Sequence, residues 1–263
     1  AELNEIELKK ITIGHINRGS QLNSISYRTD DLNLDERFPD VLVKRNTEVR
    51  NVESHAYKNH EFKPNVNFPV FMNQINPDIR THIGSPEKFL YTGIGVKLDT
   101  EIQLNREYVI YSSVGRTLQN NFDKKVSQPS SALALVRTEI VDYLQESSNN
   151  FYIKNMQVER IWSPANNIYS KLSFGLLESM YAGLASEVLY KPFNSNFAIS
   201  FEINKIKKRD YAQKFEFLDY NTTTNHINIA YYEPRSNILA KLSYGKYLAK
   251  DRGYTFDISR RMP

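Results

Sequence analysis

Ile168-Tyr-Ser-Lys-Leu-Ser-Phe-Gly-Leu-Leu177, Tyr181-Ala-Gly-Leu-Ala-Ser-Glu-Val-Leu-Tyr190 and Phe197-Ala-Ile-Ser-Phe201 decide how this chain folds. Leu172, Phe174 and Leu176 share one parity, and Lys171, Ser173 and Gly175 share the other. Phe197, Ile199, Phe201 and Ile203 alternate in the same way with Ala198, Ser200, Glu202 and Asn204. Side chains on a strand alternate between two faces, so a period of two means strands with one apolar and one small or polar face. Pro192 and the cluster Asn194-Ser195-Asn196 interrupt the run where a tight turn belongs. The stretch predicts an antiparallel meander.

Working outward, strand-like segments recur at 68–83, 88–103, 106–117, 150–163, 168–178, 181–191, 196–208, 224–233, 237–249 and 253–262. The connections at Asn105, Pro164 to Asn167, Pro192 to Asn196 and Pro234 to Asn237 are tight, whereas 118–149 and 209–223 are long. Counting strands places the two long connections at one end and the four tight ones at the other. Short turns on one side and long loops on the other are the pattern of outer-membrane barrels. Lys171-Leu-Ser-Phe-Gly175 recurs as Lys241-Leu-Ser-Tyr-Gly245, with a looser echo in Tyr111-Ser-Ser-Val-Gly115. Chance among strands of biased composition explains such a repeat as well as descent does. Leu133, Val136, Ile140, Tyr143 and Leu144 have helical spacing, with Ser130 or Ser131 as a cap, so 131–146 is read as a partial helix in the long excursion.

Ahead of this lie two strand-like runs, Ile6 to Ile16 and Leu22 to Arg28, joined at Asn17-Arg18-Gly19, then a polar, turn-rich segment from 30 to 65. Residues 1–65 are therefore read as the tail of a small α/β or β domain plus a linker, and 66–263 as barrel strands. Both ends of the 263 residues lie in or beside strand-like runs, which suggests a piece of a longer protein.

Composition narrows the class. Apolar content is 40%, below the roughly one half usual for a soluble domain, and 17 Tyr against one Trp is a β-rich bias. A net charge of +4 gives no reason to expect nucleic acid. Without cysteine there is neither a disulfide nor a thiolate metal site. No run reaches the roughly 18 apolar residues of a membrane helix, and no signal peptide is visible.

With the strands placed, the sequence resembles the YjbH/GfcD family of bacterial outer-membrane β-barrel proteins, encoded with exopolysaccharide and capsule genes. Pro77-Asp-Ile-Arg80 with Ile83-Gly-Ser-Pro86 and Phe89 resembles the first barrel hairpin, and Val136-Arg137 with Tyr143 the stretch after the long loop. Leu177-Glu-Ser-Met-Tyr-Ala-Gly183 followed by Glu187-Val-Leu-Tyr-Lys-Pro-Phe193 is the most specific match. Leu242-Ser-Tyr-Gly-Lys-Tyr-Leu-Ala-Lys-Asp251 with Asp257-Ile-Ser-Arg260 is nearly as specific. The resemblance covers 70–263 and implies an antiparallel transmembrane β-barrel, complete or part of a larger one, after a small periplasmic domain. It implies a role in polysaccharide export or assembly, with no catalytic motif and no cofactor. The expected partners are outer-membrane lipid, lipopolysaccharide and exopolysaccharide. Periplasmic export proteins are left open as further partners.

Candidate site residues follow from parity. Lys171, Ser173, Glu187, Ser200, Glu202, Lys241, Ser243 and Asp257 fall opposite the apolar stripe and are expected to face a wet lumen. On the lipid face near the midplane a Lys would cost roughly 2–4 kcal/mol. Glu178, Glu187 and Asp257 suggest glycoside chemistry only if two carboxylates meet a few ångströms apart, which sequence does not establish. His55 and His60 lack a third nearby donor for a metal. The basic run Lys205 to Arg209 suits either an anionic polymer or a solvated strand end. Trp162, Tyr190, Phe193, Tyr231 and Tyr232 beside the tight turns fit an interfacial aromatic girdle. Two other classes stay open: a soluble β-domain that binds carbohydrate, and an outer-membrane enzyme.

Overall fold

A computed structural model describes residues 10–17, 20–28, 48–50, 67–84, 88–122, 136–137, 139–165, 167–192 and 195–260, with backbone alone before residue 67. Strands β1 (Lys10–Asn17), β2 (Ser20–Arg28) and β3 (Glu48–Arg50) form a small sheet in that order, with both pairs antiparallel. The expected turn at Arg18 and Gly19, most of 30–65, and His55 and His60 lie outside the described residues.

Ten further strands form one antiparallel meander: β4 (Val70–Ile83), β5 (Leu90–Gln103), β6 (Tyr108–Asn120), β7 (Phe151–Ala165), β8 (Ile168–Leu176), β9 (Tyr181–Tyr190), β10 (Phe197–Arg209), β11 (Phe217–Glu233), β12 (Ile238–Lys246) and β13 (Arg252–Arg260). Each pairs only with its neighbours in sequence. The order puts 121–150 and 210–216 at one end, and 104–107, 166–167, 191–196 and 234–237 at the other, as counting predicts, while the short connections 84–89, 177–180 and 247–251 share the first end. Asn167 and Asn237 take left-handed backbone angles (φ 62° and 53°) in two of the tight turns, a conformation asparagine tolerates better than most residues.

One expectation needs correction. The second long loop is shorter than 209–223, because β11 begins at Phe217. Its polar start pairs with β10 from Lys207↔Asn221 to Asn204↔Thr224, and β-branched Thr222, Thr223 and Thr224 suit a strand. The partial helix expected within 131–146 is present, and among the described residues it is α1, Ile140–Glu146. Val136 and Arg137 lie in a bend before it, and Ser130, Ser131 and Leu133 lie outside the described residues. The sheet does not close into a barrel: β4 and β13 are its two edges and do not pair with each other. Strand number alone never closes a sheet, since the accumulated stagger must also bring the last ladder into register with the first.

The two faces differ as parity requires. One carries Ile75, Ile79, Ile94, Leu98, Phe174, Phe197, Ile199, Phe201, Ile203, Ile227 and Phe256, all exposed, Ile75 to 79%. The other carries Asp78, Ser113, Glu159, Ser173, Ser200, Thr224, Asn228 and Ser243, all buried. A flat single layer would expose both faces alike, so the sheet curls towards its polar side. Tyr152 on β7 supports this, because its hydroxyl donates to the Asp78 carboxylate on β4. Three strand spacings span roughly 14 Å in a flat sheet, beyond the reach of one tyrosine.

The ring of Tyr152 lies on Gly115, where a Cβ would come within 2.5 Å of it. Glycine here makes room for a cross-strand strut. We expect Tyr152→Phe, which leaves buried Asp78 without its hydroxyl donor, to lower stability by about 1–3 kcal/mol. Urea unfolding of the purified full-length protein measures it, and an unchanged midpoint would contradict the strut.

Candidate functional site

The repeat noted in the sequence has a structural counterpart on the polar face. Ser113, Ser173 and Ser243 are each buried two residues before Gly115, Gly175 and Gly245. Ser113 Oγ donates to Asp99 at 2.5 Å and Ser173 Oγ to Glu159 at 3.1 Å, each across a neighbouring strand. Small donors opposite acceptors let strands approach closely while keeping the face polar.

All eight residues picked by parity lie on this face. Lys171, Glu187, Glu202 and His226 form one cross-strand row through β8, β9, β10 and β11. Ser200, Asn228 and Ser243 form a second row, with Asn228 Nδ2 donating to Ser200 Oγ at 3.0 Å. Lys241 stands opposite Asp257 near the β13 edge, and both are exposed. Lys171 also approaches Glu159 at 3.7 Å. Of the carboxylates weighed for glycoside chemistry, Glu178 sits in the β8–β9 turn, Glu187 within β9 and Asp257 on β13, so they do not form a pair. The carboxylates placed side by side are Glu187 and Glu202. Among the described residues no group of three or more His, Asp or Glu could hold a metal ion.

At the long-loop end, α1 lies over the polar face. Tyr143 packs with Met180, Tyr181 and Ile206, while its neighbour Leu144 packs with Tyr91 and Phe122. One short helix thus touches residues from both the β9–β10 and the β5–β6 sides. The clamp beneath it is Arg209, fully buried, whose guanidinium donates to five backbone carbonyls. These are Glu178 (2.6 Å), Gln213 (2.8 Å), Ile153 (2.9 Å), Lys214 (3.2 Å) and Lys154 (3.4 Å). Tyr143 Oη donates to the Arg209 carbonyl at 2.5 Å, and Gln213 Nε2 donates to the Tyr143 carbonyl at 3.0 Å. Burial pushes the Tyr143 phenol above its ordinary range, and burial together with Glu139 pushes Tyr211 to about 12, so both remain donors at physiological pH.

This overturns part of the reading of Lys205 to Arg209 as one basic run. Lys205 and Lys207 are exposed, but Lys208 is buried against Glu139, and a bulge between Lys207 and Arg209 turns Arg209 inwards. Strict alternation would have sent Arg209 to the apolar face with Lys205 and Lys207. Asp78, Arg80, Tyr152, Glu159 and His226 also belong to this face and were not singled out in the sequence. Simple parity would have found Asp78 and His226, whereas Tyr152 lies beyond an irregularity opposite Ser113/Val114.

Beside the tight turns, Arg160 lies over Trp162 (4.6 Å) and Tyr108 (5.3 Å), and Phe197 packs with Tyr231 (4.7 Å). Tyr190 stands level with Ile199 on the same apolar face. The aromatic cluster is therefore present on that face. Tyr232 has the opposite parity, and Phe193 lies outside the described residues.

A long meander with one exposed apolar face and one polar face, the latter partly covered by its own helix, defines an all-β sheet protein built as a two-sided wall. The family model described as "Exopolysaccharide biosynthesis protein YbjH" matches residues 3–263. The chain belongs to this YjbH family. It is 34% identical over 195 residues to a protein of Escherichia coli (strain K12) called "Uncharacterized lipoprotein YjbH". The match takes in 71% of this chain and 27% of that relative, so the chain spans about a quarter of the relative's length. No solved structure matches.

Proposed function

We propose that the ten strands are a wall segment of an outer-membrane β-barrel, with the apolar face in lipid and the polar face lining a passage for exopolysaccharide. The observation that carries this reading is the partition of faces, kept across ten strands, with the longest connection, 121–150, at the end opposite the tight turns at 104–107, 166–167 and 234–237. Among the described residues no helix is long and apolar enough to cross a membrane. Their length of 9–17 residues suits tilted membrane strands. The tight-turn end, with its aromatic cluster, is placed at the periplasmic interface, and residues 1–65 on that side. A lipoprotein among the relatives supports a place in the envelope.

The passage works without catalysis in this reading. A conduit needs a wet wall and no tight site, because strong sites stop passage. Lys171, Glu187, Glu202, Lys241 and Asp257 mix charges along the wall, interspersed with buried serines. Lipid and lipopolysaccharide contact the apolar face, and periplasmic export proteins hand over the polymer.

The test uses full-length protein in vesicles, in a background where Trp162 and any tryptophan outside these 263 residues are replaced by Phe. Leu242→Trp and Lys241→Trp place the indole on opposite faces of β12 at adjacent positions. Brominated phospholipid should quench Leu242→Trp strongly and Lys241→Trp weakly, and equal quenching would refute the assignment of faces. In cells, Glu187→Gln should leave assembly intact and lower surface polysaccharide only mildly. Loss of all polymer with the sheet still folded would replace the passive passage by a catalytic or gating role.

A further inference from the structure

We infer that the polar face holds a weak subsite for one uncharged sugar unit, over strands β9 to β11 beside the β12–β13 turn, built on Glu202, Asn204, Thr224, His226, Tyr181 and Tyr247. The inference rests on the passage reading and names what that wall contacts. A pocket of about 380 Å³ opens here, at the small end of ligand sites in general, which run from about 300 to 1,000 Å³. That size takes a sugar ring rather than a folded segment.

Its lining has the chemistry of sugar recognition. Glu202 is one third exposed and can accept hydroxyl protons. Asn204 donates to Thr224 at 3.1 Å, presenting a neutral amide and hydroxyl beside it. Tyr181 and Tyr247 add aromatic surface, and Leu177, Ile206 and Leu248 add apolar wall for the C–H face of a ring. Pockets that combine apolar walls with a few convergent polar groups suit small ligands.

The second observation is His226. Its Nδ1 faces Glu202 Oε1 at 3.0 Å, whereas Nε2 is shielded from solvent and has no hydrogen-bond partner. Tyr247 covers the imidazole edge-on at 4.5 Å, and its hydroxyl meets Thr255 Oγ1 on β13. A buried polar group without partners costs stability until a partner arrives. A hydroxyl-bearing ligand packed against the Tyr247 ring supplies one to Nε2.

Charge selects against acidic units. Arg137 is held by Glu178 in a two-point contact of 2.8 and 3.2 Å, so its charge is compensated. Glu202 stands directly beside Glu187, whose other neighbour is Lys171. The row carries two carboxylates for one ammonium, and a uronate would meet repulsion.

The test is saturation-transfer NMR and calorimetry on the full-length protein in detergent, with neutral gluco-oligosaccharides and with oligogalacturonate as probes. The neutral probe should bind with millimolar affinity, and Tyr247→Ala and Glu202→Gln should each weaken it at least tenfold. Glu101→Gln, on β5 and outside the pocket lining, should retain it. Absence of binding, binding that survives both substitutions, or preference for the uronate would overturn the subsite. Cells carrying Lys241→Trp, which crowds the wall elsewhere, separate the two readings. Reduced polymer there with no oligosaccharide binding would remove the subsite and keep the passage. Unchanged polymer with binding intact would remove the passage and leave a sugar site on the wall.

Discussion

Gly245→Val is expected to prevent the sheet from forming as observed, with a loss of about 3 kcal/mol or more. A Cβ at Gly245 would stand 1.9 Å from the Asn225 carbonyl oxygen and 2.7 Å from the His226 Cα. Both are backbone atoms of the paired strand β11, so no side-chain rotation relieves the clash and β11 and β12 must part. Gly175→Val adds a second cost. Its Cβ would meet the Met156 carbonyl oxygen at 2.4 Å, and its φ of +134° belongs to a region that is essentially glycine's alone. Strain of that kind costs about 1–3 kcal/mol by itself. Gly253→Ala is the control, since the nearest atom to its Cβ would be 3.7 Å away. Urea unfolding of the three full-length variants should rank Gly253→Ala near the parent and the other two far below it. Equal midpoints would mean that the close approach of backbones is not needed.

Arg209→Leu should release α1 and the 210–216 loop together while the strands away from them stay paired. Five backbone carbonyls on three connected regions lose their shared donor. Each buried acceptor left without a donor costs about 1–3 kcal/mol, and water entering the gap offsets part of it, so roughly 2–5 kcal/mol is expected locally. Arg209→Lys should recover little, because one ammonium cannot address carbonyls spread along a planar fork. Hydrogen exchange reads this directly: amides of 140–147 and 210–216 should lose protection, while those of β12 keep theirs. Uniform loss across the sheet would show that Arg209 supports the whole fold rather than the clamp over its polar face. The same variant bears on passage, because α1 covers part of the wall that the polymer is proposed to touch.

Much of this could be read along the chain because strand alternation is local. Ten segments, their order and the two faces follow from a period of two, and the family resemblance carried by Leu177 to Gly183 and Leu242 to Asp251 holds. The role of glycine at 175 and 245 was visible only as the small residue that closes the repeat Lys-Leu-Ser-Phe/Tyr-Gly. That its hydrogen stands where a Cβ would strike the next strand depends on how closely the strands approach.

The sequence by itself determined the meander, the parity of Lys171, Ser173, Glu187, Ser200, Glu202, Lys241, Ser243 and Asp257, and the end at which each loop lies, because each rests on near neighbours or on counting. Tertiary structure decided the rest. A single bulge after Lys207 sends Arg209 under α1 instead of outwards. Contacts across several strands join Tyr152 to Asp78 and Tyr143 to the Arg209 carbonyl. The ten strands leave β4 and β13 as unpaired edges. Each depends on curvature, which accumulates over many strand pairs and which no single stretch of residues encodes.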